Sequence, residues 1–155
     1  MATTAYSNGV ENIINGTIDL DTSALKSMLL INSYPEDPDQ PTVDDGSAND
    51  LASHECTATG YTGGFAGADR LTTAVTITEQ TANNRVVTIF ADKTWTAIGG
   101  AANNTLEGVA LIREITNDAA SIPIVFLLFT VALTTNGSDI LVDFDGTDGN
   151  LRWTV

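Results

Sequence analysis

The chain has 155 residues, 43 % of them hydrophobic, with a mean hydropathy of +0.07. This suits one globular domain that buries roughly two-thirds of the surface its unfolded form exposes and excludes a disordered chain. Twenty Asp and Glu stand against six Lys and Arg, a net charge of −14. Nucleic acid and anionic membrane are therefore excluded as partners, because binding them takes cations that displace counterions.

The opening "MATTAYSNGV" has no basic stretch followed by an apolar one, so no signal peptide is expected and synthesis in the cytoplasm is. The lone cysteine, Cys56, rules out an internal disulfide framework. Tyr6, Val10, Ile13 and Ile14 recur at helical spacing, with Ser7 or Asn8 as a cap and Gly16 as a stop, which predicts a helix over about 6–15. "TIDL" and "ALKSMLLI" then read as two strands joined by a turn at "DTS". A long loop over about 32–55 follows, holding three of the four prolines and a run of acids from Glu36 to Glu55. Such a loop is expected to be functional or mobile, touching a neighbour or extending into solvent.

From Thr57 onward the pattern is β. "RLTTAVTITEQ" and "RVVTIFAD" are joined through "TANN", and "TWTAIGG", "LEGVALIREI", "IPIVFLLFTVAL" and "DILVDF" follow, with "LRWTV" last. Short strands at roughly 10-residue spacing predict an all-β fold, an antiparallel sandwich or barrel-like domain with one short N-terminal helix. The run from Ile122 to Leu133 holds Pro123 and is too short for a membrane helix, which needs about 20 residues. It is expected to be a central strand covered on both faces, or to be covered by another subunit.

Candidate sites are few. Asp19 and Asp21 share a face if "TIDL" is a strand, which would allow a carboxylate pair, but Asp at a turn is the simpler expectation. "DFDGTDGN" offers Asp143, Asp145 and Asp148 as a calcium turn. The EF-hand pattern fails, since its sixth position is Asp148 rather than Gly, and the two Asp-Gly steps read better as a hairpin turn. His54 and Cys56 are too poor a set for structural zinc and lack a third group to orient a nucleophile. "GYTGGFAG" has no lysine after it and is expected to serve bends. No cofactor and no catalytic activity are expected.

Taken in order, "YSNGVENIINGTIDLDTSALKSMLL", "SYPEDPD", "ATGYTGG", "FADKTWTAIGG" and "DFDGTDGNLRWTV" resemble a family of small virion proteins of tailed bacteriophages. The resemblance covers nearly the whole chain, and its specificity lies in the order of short motifs. It implies a structural protein of the particle that decorates and cements the outer face of the head. The implied partners are the major capsid protein and further copies of this chain, after synthesis in the host cytoplasm. A tail tube, connector or tip protein is the alternative within the virion. A calcium-dependent carbohydrate-binding sandwich using Trp95 or Trp153 is the alternative outside it. The segment Met1, Ala2, Thr3, Thr4, Ala5 and Tyr6 is the expected partner contact, although Tyr6 also suits packing on the chain's own sheet.

Overall fold

The computed structural model describes residues 2–144 and 151–154. In chain order the elements are β1 (Ala2–Ala5), α1 (Ser7–Ile14), β2 (Leu25–Ile31), β3 (Leu71–Thr73), β4 (Val75–Gln80), β5 (Arg85–Phe90), β6 (Lys93–Ile98), β7 (Thr105–Arg113), β8 (Ile122–Thr134), β9 (Ser138–Val142) and β10 (Leu151–Thr154). The fold is all-β and sandwich-like with one N-terminal helix, as the strand spacing predicts. A five-stranded antiparallel sheet runs β1-β8-β7-β2-β3, and β10-β5-β4 and β6-β9 form two smaller sheets.

Alternation along the large sheet sorts its side chains onto two faces. Leu25 and Leu29 of β2, Val109 and Leu111 of β7, and Val125 and Leu127 of β8 meet Phe90, Trp95, Ile98, Ile140 and Val142 from the smaller sheets in one core. The intervening residues, Met28, Leu30, Ala110, Ile112 and Phe126, form a second core with Tyr6, Tyr34, Val43 and Leu51. Burial on both faces explains why β2, β7 and the first half of β8 read as continuous apolar runs rather than alternating ones.

The second core corrects the expectation for the acidic loop. Residues 32–55 are neither extended into solvent nor loosely held: Tyr34, Val43 and Leu51 are driven into the sheet, and the Val43 amide donates to the Ser121 carbonyl at 2.9 Å. Glu36, Asp37, Asp39 and Asp45 stay outside, Asp50 and Glu55 are buried, and the apolar anchors hold the loop down as a lid on one face of the sheet.

Two further expectations fail for physical reasons. "TIDL" is a turn, not a strand: the Asp21 amide donates to Asp19 Oδ1 at 3.1 Å and the Ser23 amide to the Asp19 carbonyl at 2.7 Å. The hairpin expected at "DFDGTDGN" is not formed by its flanking strands, since β9 pairs with β6 and β10 with β5; residues 145–150 lie outside the described residues. The strong β8 run is covered on both faces only through Leu127; Val131 is 78 % exposed, and the residues from Phe129 to Ala132 have no rung opposite them on β7.

Helix α1 starts at Tyr6, which supplies no side-chain cap; the expected caps act through the loop instead, the Ser7 amide donating to the Pro38 carbonyl at 2.9 Å and Asn8 Nδ2 to the Pro41 carbonyl. Gly9 lets the helix lie directly on β8. A Cβ there would meet the Pro123 carbonyl oxygen and sit 2.8 Å from Ile124 Cα.

Candidate functional site

The densest charged cluster surrounds Arg70, whose side chain is fully buried. Its Nε and Nη2 donate to Glu55 at 2.9 and 2.7 Å in a fork, and Nη1 donates to Glu114 at 3.1 Å and to Asp118 at 2.5 Å. Burial alone would lower the guanidinium pKa, but the hydrogen bonds to Glu55 and Asp118 outweigh it and hold it above its ordinary value. Glu55 also accepts from Tyr61 Oη at 2.9 Å and from the Gly64 amide at 2.8 Å, and Glu114 accepts from the Ala66 amide at 3.2 Å. Burial first, then the Glu55 charge, pushes the Tyr61 phenol well above its usual range.

This arrangement ties the glycine-rich loop, residues 60–67, to the connection between β7 and β8. Each carboxylate is engaged by a guanidinium or an amide. The cluster is a clasp between loops. In the sequence Arg70 opens an apparent strand, and nothing local marks it, since its partners lie 15, 44 and 48 residues away.

The residues singled out from sequence are scattered. Asp19 and Asp21 are exposed in their turn. His54 Nδ1 lies 2.9 Å from the Asp50 carbonyl, and its ring stands edge-on to Tyr34. Cys56 is instead buried beside Asn104, its Sγ 3.4 Å from Oδ1, and burial raises its thiol pKa, so the two do not form a nucleophilic pair. Trp95 is buried, with Nε1 donating to the Asp69 carbonyl at 2.6 Å, which removes it as a sugar platform. Asp143 is exposed after β9, while Asp145 and Asp148 lie outside the described residues.

The N-terminal segment divides. Met1 lies outside the described residues; Ala2, Thr3, Thr4 and Ala5 form β1, paired with β8 from Ala2↔Leu128 to Ala5↔Val125. Tyr6 is fully buried by its own chain, its hydroxyl on that of Tyr34, so it cannot anchor a partner. Beside β1 an open groove of about 560 Å³ is lined by Ala5, Ser7, Val10, Glu11, Ile14 and Asn15. Ile14 is 77 % exposed there, although it falls at helical spacing with Tyr6 and Val10. Elsewhere Val131 of β8 and Leu141 of β9 also stand in solvent.

Compared with protein-family models, with curated proteins and with solved structures, the chain matches none.

Proposed function

We propose that the chain is a structural virion protein that decorates the outer face of a phage head and cements it. The observation that carries this reading is the pairing of a closed, doubly cored domain with apolar side chains left in solvent. Ile14, Val131 and Leu141 are each more than two-thirds exposed, at 77, 78 and 67 %. Of the chain's three tyrosines, Tyr6 and Tyr34 are buried in the core and Tyr61 packs half-buried against it. A protein of this kind binds by surface contact, and many copies that each bury modest apolar area at about 25 cal/mol per Å² add up to large cohesion. The order of motifs along the chain supports the same reading, and the net charge of −14 suits the outside of a shell, away from packaged DNA.

The test is to add the purified protein to expanded capsids that lack it, then measure co-sedimentation and the temperature of disruption. Stoichiometric binding with a raised disruption temperature is the expected result. A protein that stays in the supernatant at saturating concentration would overturn the decoration role.

A further inference from the structure

We infer that the outer edge of β1 is a strand-addition site for an extended, alternately apolar and basic segment of a partner protein. The Tyr6 amide donates to the Ile124 carbonyl at 3.0 Å, continuing the ladder beyond Ala5↔Val125. In an antiparallel ladder the bonded residues alternate. Thr4 and Ala2 therefore share the orientation of Tyr6 toward β8, and Thr3 and Ala5 direct their N–H and C=O groups away from it. No strand stands on that side among the described residues. An uncovered edge of this kind is a template for another strand.

The groove fixes what one face of that strand must be. A strand added beside β1 lies about 4.8 Å away, and every second side chain points to the face that Ala5 shares with the groove, over Val10 and Ile14. Those positions call for apolar residues. The intervening ones point to the opposite face, where Thr4 Oγ1 bonds the Glu36 carboxylate; at the rim of the groove Ser7 Oγ bonds Asp39 Oδ1 at 2.9 Å. Glu11 lines the groove itself. The chain's six cations are Lys26, Arg70, Arg85, Lys93, Arg113 and Arg152, so none lies in β1, α1 or the loop from 32 to 55. Lysine or arginine at the intervening positions faces the Glu36 carboxylate on that side. A second copy of this chain would instead set its own Glu11, Glu36 and Asp39 against the same carboxylates, which disfavours self-pairing.

The inference stands on the geometry of the edge and does not require the partner to be a capsid protein. Its test uses a blocked octapeptide alternating valine with lysine, and a control in which glutamate replaces lysine, titrated into the full chain and followed by amide hydrogen exchange. The lysine peptide is expected to protect the Thr3 and Ala5 amides, to weaken with added salt, and to bind at least tenfold better than the glutamate peptide. Thr3→Pro removes an outward N–H without breaking the β8 ladder, and Ile14→Lys places a charge in the groove at an exposed site. Each is expected to weaken the lysine peptide at least tenfold, and Ile14→Lys carries the comparison if the proline variant does not fold. Absence of protection at Thr3 and Ala5, or equal binding of the two peptides, overturns the inference. So does a dimer in sedimentation that Ile14→Lys abolishes, because the occupant is then a second copy. Capsid co-sedimentation reads the decoration role separately, so either can fail alone.

Discussion

The Tyr6 and Tyr34 hydroxyls meet at 2.8 Å inside the layer between the large sheet and the loop that covers it. The contact joins the residue that follows β1 to the first buried anchor of the lid. Each hydroxyl is the other's partner, and Tyr6 is fully buried whereas Tyr34 keeps 4 % of its surface exposed. Tyr34→Phe therefore strands a fully buried hydroxyl and is expected to cost about 1–3 kcal/mol, more than Tyr6→Phe. The double variant should cost less than the sum, because no hydroxyl is left unpaired. Urea midpoints of the four proteins give the comparison, and strict additivity would contradict the pairing.

The same burial predicts behaviour in alkali. Desolvation raises the Tyr6, Tyr34 and Tyr61 phenols above the ordinary phenol value of about 10, each further raised by a neighbouring charge. A raised pKa means that the unfolded chain loses these protons first. Stability is then intact below about pH 10 and falls as the pH rises above it. The tyrosinate absorbance band should stay silent through pH 10 and emerge together with loss of tertiary structure. A separate, earlier phenol titration would show that the rings reach solvent in the folded state.

Arg70 is held by Glu55, Glu114 and Asp118 with no exposed side-chain surface. Arg70→Met leaves three carboxylates facing one another without a counter-charge, and the expected loss is about 3–5 kcal/mol. Arg70→Lys should recover little, because an ammonium cannot reproduce the fork onto Glu55 or reach both loops. Limited proteolysis should then cut first within residues 60–67, the loop that the cluster holds down. Wild-type resistance there in either variant would remove the clasp role.

Much of the architecture was legible from local pattern, and the failures have a common cause. The β4–β5 hairpin follows from Thr/Val/Ile runs around "TANN", where Asn84 adopts the left-handed conformation at φ 49°. Helix α1 and its Gly16 stop, at φ +77°, follow from spacing and from glycine's freedom. "TIDL" misled because Ile18 and Leu20 are both buried at alternate positions, which mimics a strand while Asp19 folds the backbone back. The lid was illegible because its anchors, Tyr34, Val43 and Leu51, are spread through an acidic, proline-rich stretch with no period. The Arg70 cluster and the edge of β1 depend on which distant segments become neighbours, and no local signal carries that.

The lid itself is open to a direct check. Leu51 is fully buried in the core between loop and sheet, so Leu51→Ala removes one of its few anchors, at an expected cost of about 2–5 kcal/mol. Because the loop contributes side chains to the second core but no strand to the sheet, opening should be local. Hydrogen exchange should accelerate at the Val43 amide, which bonds the Ser121 carbonyl, before it does so at Leu111 in β7. Simultaneous acceleration at both would mean that lid and sheet unfold as one unit.

Gly9 offers the sharpest contrast between intrinsic preference and packing. Within a helix, alanine is favoured over glycine by about 1 kcal/mol, so on propensity alone Gly9→Ala should stabilise the protein. The added Cβ, however, meets the Pro123 carbonyl oxygen and the Ile124 Cα at 2.8 Å, and both are backbone atoms of β8 that cannot turn aside. The helix must lift. Ser7 follows Tyr6 directly, so lifting strains the Tyr6 amide's bond to the Ile124 carbonyl at the end of β1. Overpacking of this kind costs about 1–3 kcal/mol, so the net effect is destabilising. Loosening should also reach the edge proposed for strand addition, seen as faster exchange at the Tyr6 amide. A Gly9→Ala protein more stable than wild type would show that α1 is not seated on β8 as closely as described.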